Sequence, residues 1–184
     1  RDRSPSRGLG DVYKRQGQMN PQITPLMPVL VSPWLSIHVS LIMMSYALLA
    51  FIMLNGILAL CLRKKESENN VSGNDAIQDN RIEQLTLVSR LLLYPATFFL
   101  GAGIFLGAVW ANVSWGRYWA WDPKEVWALI TFLVYGVAFH SQSLRIFRKP
   151  LFFHIYMILA FLTVLMTYFG VNYVLGGMHS YANA

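Results

Sequence analysis

Four long segments without any Asp, Glu, Lys or Arg constrain the fold of this chain most strongly. They cover residues 35–62, 91–112, 126–144 and 151–174. A helix needs roughly 20 apolar residues to cross the hydrocarbon core of a bilayer, and each segment is about that long. The composition agrees, because 55% of the 184 residues are hydrophobic and only 13% are charged. The sequence therefore predicts an all-α integral membrane protein with about four transmembrane helices.

Basic residues between these segments indicate the orientation in the membrane. Lys and Arg cluster at residues 63–65 and 145–149. Both clusters fall on one side if the four helices alternate in direction, and the positive-inside rule assigns that side to the cytoplasm. The polar stretch at about 63–84 is therefore expected to be a mobile cytoplasmic loop. The start of the first span, a loop at about 113–125 and the end of the fourth span then share the opposite face.

The first eighteen residues do not follow this pattern. They are basic and lack the apolar stretch of a signal peptide. Residues 1–18 are expected to be a non-native or disordered basic tail, with a basic arm that touches anionic lipid as the alternative. The chain begins without Met and is expected to be a fragment, in which residues 19–184 form the membrane domain.

The loop between the second and third spans is rich in tryptophan. Five tryptophans fall within the eighteen residues 110–127, namely Trp110, Trp115, Trp119, Trp121 and Trp127. Aromatic belts at a membrane interface are common, but they do not account for so dense a cluster. Large, flat indole rings are suited to holding a flat conjugated ligand.

Two histidines are predicted on the same face as this loop. His38 lies near the outer end of the first span, and His179 follows the fourth span. A single interfacial histidine is usually a polar anchor, but two imidazoles can ligate iron from opposite faces of a porphyrin. We therefore expect haem at this face, with His38 and His179 as axial ligands. The cationic Arg117 and Lys124 could meet its propionates, although the sequence does not fix the direction of these side chains.

The other two histidines are expected towards the cytoplasmic side. His140 lies within the third span, where an ionisable group is costly and suggests a pathway, a relay or a binding site. The alternative for His140 is a hydrogen bond to a neighbouring helix. His154 follows the second basic cluster and is interpreted as a cytoplasmic interface residue.

Other residues suggest local structure more than chemistry. Asp122 and Pro123 suit the N-cap and the first position of the third helix. Gly103 and Gly107 are spaced for close helix packing, and Pro95 is expected to kink the second span.

Three runs of sequence resemble one family. WGRYWAWDPKEVWALITFLVYGVAFH, at residues 115–140, resembles the tryptophan-rich "WWD" signature of the haem-handling proteins of cytochrome c biogenesis. SPWLSIHVSLIMMSYALLAF and FGVNYVLGGMHSYA are similar to the segments that carry the two external histidines of the CcsA/ResC type. From about residue 20 onwards the chain thus looks like the C-terminal portion of a CcsA/ResC-type protein.

The resemblance implies a cofactor and its ligands. It implies that haem b is bound by His38 and His179 through the iron, and that His140 corresponds to a transmembrane histidine proposed to hold haem in transit. The implied haem platform consists of Trp115, Trp119, Trp121, Asp122 and Trp127.

The resemblance also implies a function. Haem would be bound at the outer face and presented for thioether attachment to apocytochrome c with a Cys-x-x-Cys-His motif, by a component of a holocytochrome c synthetase. Family members carry further spans before the His38 segment, and a CcsB/ResB-type partner, separate or fused, is expected. The chain would lie in the cytoplasmic (inner) membrane, with its haem site facing the periplasm or the exterior, and no nucleic-acid partner is expected.

Cys61 is the single cysteine and cannot form an internal disulfide, so the chain does not look like the thiol reductant.

Two other classes of function stay open at this point. A haem exporter or delivery protein of the CcmC type would share the tryptophan loop but pass haem to a chaperone. A membrane cytochrome that transfers electrons, or a scaffold subunit without haem, is the third possibility. A b-type cytochrome normally places paired histidines within the bilayer, whereas His38 and His179 are predicted outside it.

Overall fold

The computed structural model describes residues 32–69, 75–140 and 143–175, and these are almost entirely helical. Within these three ranges, four α-helices follow one another: α1 (Pro33–Asn69), α2 (Asp75–Trp115), α3 (Pro123–Val137) and α4 (Pro150–Leu165). Short 3₁₀ turns occupy Ala138–His140 and Arg145–Arg148, and α4 continues as a π-helix over Met166–Leu175. No strand occurs within the described residues. The predicted all-α class is confirmed.

In the part of the chain that the structure describes, three helices are long and apolar enough to cross a membrane. They cover Pro33–Lys64, Asp79–Trp115 and Pro150–Leu175, and they contain the first, second and fourth predicted spans. The third predicted span, residues 126–144, is shorter in the structure because the α-helix ends at Val137. Its 15 residues extend about 22 Å, and the 3₁₀ turn adds roughly 6 Å. The segment therefore approaches the roughly 30 Å of a bilayer core without being one continuous α-helix.

Both predicted loops are shorter than expected. The stretch at 63–84 is mostly helical, because α1 runs on to Asn69 and α2 already begins at Asp75. This stretch contains Lys, Arg, Glu and Gln, which are good helix formers and extend the membrane helices into the polar region. The tryptophan loop spans residues 116–122, inside the predicted 113–125.

Packing between helices involves small and polar side chains as well as large apolar ones. The buried core includes Leu49, Ile52, Leu93, Tyr135, Phe153 and Met157. The Ser45 hydroxyl donates to the Ala96 carbonyl oxygen at 2.8 Å, which joins α1 to α2. Ala96 follows Pro95, and α2 continues through both residues. Large side chains on the outside, such as Phe98 and Phe105, are exposed, as expected for faces in contact with lipid.

Candidate functional site

A cavity of about 220 Å³ lies where the ends of several helices meet the tryptophan loop. Its walls come from the beginning of α1, the last turns of α2, the loop, the beginning of α3 and the π-helix after α4. The lining residues used below are His38, Tyr46, Gly107, Trp110, Tyr118, Trp119, Lys124, Glu125 and Tyr168. The lining is mostly apolar, and the few polar groups converge from different elements. Ligand sites commonly combine these two properties.

His38 is fixed in this cavity by a backbone contact. Its Nδ1 donates to the Gly103 carbonyl oxygen at 2.7 Å, because a carbonyl oxygen can only accept. In the neutral ring the proton is therefore on Nδ1, and the lone pair is on Nε2. Histidines that ligate metals characteristically donate their other ring N–H to a carbonyl or carboxylate in this way.

The glycine pair of α2 makes room for this histidine. A Cβ at Gly107 would lie 2.7 Å from Cε1 of His38, and one at Gly103 would lie 2.6 Å from Cδ1 of Ile42. Both distances are too short for real carbon contacts. The predicted close packing is confirmed, and Gly107 also provides the space in which the His38 ring lies.

The tryptophan loop is closed by a capping box at the start of α3. Asp122 is the N-cap, its carboxylate accepts from Lys124 N at 3.2 Å, and Pro123 stands in the first turn. The Glu125 carboxylate accepts from Ala120 N at 2.8 Å and from Asp122 N at 3.3 Å. The predicted N-cap is confirmed. These carboxylates fix the loop backbone, and Asp122 itself does not line the cavity.

The tryptophans take different positions around the cavity. Of the four proposed as haem platform, Trp119 lines it and Trp115, Trp121 and Trp127 do not. Trp121 is 74% exposed and lies edge-on to Trp119 with ring centroids 6.1 Å apart. Its φ of +57° is unusual for a residue with a bulky side chain. Trp115 lies edge-on to Trp110, 5.0 Å away, which places it behind a cavity wall.

Trp110 and Tyr46 also line the cavity. Trp110 belongs to the predicted tryptophan cluster but not to the implied haem platform, and no sequence pattern singled out Tyr46. The sequence feature that could have identified both residues is helical periodicity, because residues three or four positions apart lie on one face of a helix. His38, Ile42 and Tyr46 are spaced four apart on α1, and Gly103, Gly107 and Trp110 share one face of α2. These two stripes face each other in the structure.

Lys124 is the cationic side chain in the cavity wall. Its Nζ donates to Asn172 Oδ1 at 2.9 Å, which connects the start of α3 to the π-helix. Burial lowers the pKa of the Lys124 ammonium below its usual value, and the neighbouring Asp122 carboxylate opposes this shift. Arg117, the other cation expected near the ligand, belongs to the loop but does not line the cavity.

His140 and His154 lie away from this cavity. His140 is exposed at the end of the 3₁₀ turn after α3. His154 was interpreted as an interface residue, but the structure buries it completely, against Thr86. The remaining candidate, His179, lies outside the described residues. Of the predicted axial pair, the structure therefore describes only His38.

Comparisons with known proteins agree on one family. The family described as "Cytochrome C assembly protein" matches residues 14–179. Protein NrfI of Wolinella succinogenes is 42% identical over 164 residues, which are 89% of this chain and 18% of that protein. The cytochrome c biogenesis protein CcsA of Chlamydomonas reinhardtii is 41% identical over 162 residues, which are 87% of this chain and 44% of that protein. CcsA of Pyropia yezoensis is 36% identical, with 86% of this chain and 60% of that protein covered.

Proposed function

The chain belongs to the cytochrome c assembly protein family, and on that premise we propose that it binds haem b in the cavity around His38 and presents it to apocytochrome c. The observation that carries this proposal is the His38–Gly103 hydrogen bond. It leaves the lone pair of the neutral imidazole on Nε2, within a mostly apolar cavity that also contains an indole ring and an ammonium group.

The cavity suits part of a tetrapyrrole better than the whole ring. Pockets that enclose drug-sized ligands measure roughly 300–1,000 Å³, and this cavity measures about 220 Å³. A flat ligand inserted here would leave one edge outside. The described residues thus fit haem held by one edge, with its other edge accessible to a second protein.

Each residue has a separate task in this proposal. His38 would ligate the iron through Nε2, and Gly103 would keep the imidazole oriented. Trp119 and Tyr118 would pack against the ring. His179 would be the second iron ligand, and His140 would hold haem during its passage through the membrane. Trp115, Trp121 and Trp127 would support the platform.

When bound, haem supplies two vinyl groups that react with the thiols of a Cys-x-x-Cys-His segment to form thioethers. This chain would contribute by holding haem in position and by excluding water from the cavity. A fixed imidazole and rigid indole walls hold the ligand in one orientation, and orientation lowers the barrier of a bimolecular reaction considerably. The capping box keeps the loop backbone rigid, so Trp119 does not have to reorganise when the ligand arrives.

We further propose that this chain forms only part of the synthetase. It spans 18–60% of the length of the relatives quoted above. A CcsB/ResB-type partner, fused or separate, would provide the rest, in the cytoplasmic membrane and with the cavity on the extracytoplasmic side.

The names of the relatives favour a role in cytochrome c biogenesis over electron transfer. Co-expression with apocytochrome c alone would distinguish attachment from export of haem to a chaperone.

The proposal is tested on the full-length protein purified with its partner. His38→Gly should reduce the Soret absorbance per protein, and added imidazole should restore part of it. Ser40→Gly is the matched control, because it makes the same backbone change two residues along α1, at an exposed position. An unchanged haem spectrum in His38→Gly combined with His179→Gly would refute the ligand assignment.

A further inference from the structure

The tryptophan loop enters α3 through a residue in an unfavourable backbone conformation. Trp121 has a φ of +57°, a region that glycine adopts freely and that bulky residues rarely occupy. The loop is held on both sides of it, because one oxygen of Glu125, Oε2, accepts from Ala120 N at 2.8 Å and from Asp122 N at 3.3 Å. Strained residues that the surrounding structure keeps in place are typical of functional sites.

The fold leaves most of the Trp121 indole exposed. Trp121 directly precedes the N-cap Asp122, and an apolar residue at that position often packs against the fourth residue of the helix, here Val126. A ring packed in this way would be largely buried, whereas the Trp121 side chain is 74% exposed. The strained backbone therefore presents a large apolar ring to the outside.

Trp121 lies beside the open part of the cavity. Tyr118 and Trp119 of the same loop line the cavity, and Tyr118 is 60% exposed, so the cavity opens to the outside along this loop. Trp121 does not belong to the lining, although its ring centroid lies only 6.1 Å from that of Trp119. A molecule that reaches the outer edge of a ligand in the cavity would meet the Trp121 indole there.

We propose that Trp121 is a docking contact for the polypeptide segment of apocytochrome c around Cys-x-x-Cys-His, and that Glu125 is the residue that positions it. This inference rests on the proposed function, in which one edge of haem stays accessible and the segment has to approach that edge. Trp119 then binds haem, and Trp121 binds the polypeptide. Tryptophan suits this task, because a single large indole that a partner buries often contributes a disproportionate share of the binding free energy at protein interfaces.

The test measures binding of a fluorescent peptide that carries Ser-x-x-Ser-His in place of Cys-x-x-Cys-His, so that docking occurs without thioether formation. The full-length protein is purified with its partner, loaded with haem and titrated by fluorescence anisotropy. Trp121→Leu should weaken peptide binding about tenfold, with unchanged Soret absorbance per protein. Trp34→Leu is the matched control and should match the wild type, because Trp34 is also exposed but does not line the cavity.

A second set of variants tests the positioning role of Glu125 at equal haem occupancy. Both loop hydrogen bonds end on a single carboxylate oxygen, so the amide oxygen of Glu125→Gln can replace it, whereas Glu125→Ala removes the acceptor. Glu125→Ala should weaken peptide binding as much as Trp121→Leu, and Glu125→Gln should retain most of the affinity. The double variant Glu125→Ala with Trp121→Leu should be no weaker than either single variant, and additive losses would contradict the positioning role.

A photoreactive benzophenone residue at position 121 identifies the partner directly. It should cross-link to the peptide, and the same residue at position 34 should not. Cross-links to lipid alone, in protein reconstituted in vesicles, would assign Trp121 to an aromatic belt at the membrane interface and overturn the inference. Unchanged peptide binding or loss of the Soret band in Trp121→Leu would also overturn it and leave the proposed function standing. A wild type that takes up no haem would overturn the proposed function and the inference together.

Discussion

Gly107 and His38 are in such close contact that a larger residue at position 107 would displace the His38 ring. A Cβ there would lie 2.7 Å from Cε1 and 2.9 Å from Nδ1 of the imidazole. The same imidazole donates to Gly103, one turn earlier on α2. The orientation of the proposed ligand therefore depends on one glycine for space and on another for a hydrogen-bond acceptor.

Gly107→Ala should displace the His38 ring and weaken haem binding roughly 10–100-fold, the usual cost of disturbing a group that orients a metal ligand. The measurement is a haem titration of the purified protein followed at the Soret band. Gly136→Ala is the matched control, because a Cβ at Gly136 meets nothing within 4 Å. It should leave haem binding unchanged. Wild-type affinity in Gly107→Ala would contradict the positioning role of this contact.

Much of the fold followed from the sequence. Three of the four uncharged segments lie in helices that are long and apolar enough to cross a membrane. The asparagine- and serine-containing stretch at 63–84 suggested a loop. Most of it is helical, because a helix already nucleated in the membrane extends through good helix formers at little cost.

The site was predicted only in part. His38 was recognised by its residue type and its place near a span end. Lys124 and Asn172 are 48 residues apart, and no local pattern reveals that they meet. His154 looked exposed because basic residues precede it, but its side chain faces the bundle. Which face of an apolar helix turns inward depends on its neighbours, and uniformly apolar sequences carry little periodic signal.

Asp122→Ala should destabilise the loop, whereas Asp122→Asn should not. The carboxylate caps α3, and loss of an N-cap costs about 1 kcal/mol, while asparagine caps as well as aspartate. The free energy of unfolding can be measured by SDS titration in mixed micelles. The same pair tests the expected cofactor contact, since a residue that only caps would leave haem affinity unchanged in Asp122→Asn. Reduced haem affinity in that variant would assign Asp122 a direct role in binding.

The two neighbouring indoles of the loop should respond differently to substitution. Trp119 lines the cavity, so Trp119→Leu should lower haem occupancy. Trp121 is mostly exposed outside it, so Trp121→Leu should retain the haem spectrum. If Trp121 meets the incoming apocytochrome c, the second variant should still yield less holocytochrome c in a co-expression assay. Loss of the Soret band in Trp121→Leu would show instead that both rings hold the ligand.

Thr86→Val should destabilise the bundle more than the double variant Thr86→Val with His154→Leu. The Thr86 hydroxyl donates to Ile82 O at 2.7 Å, so the 2.9 Å contact with His154 must be donated by Nε2. Thr86→Val leaves that buried N–H without its acceptor, at a cost of roughly 1–3 kcal/mol, while removal of both partners is nearly neutral. A double-mutant cycle in mixed micelles measures the difference. Additive effects of the two substitutions would show that the His154–Thr86 hydrogen bond contributes nothing to stability.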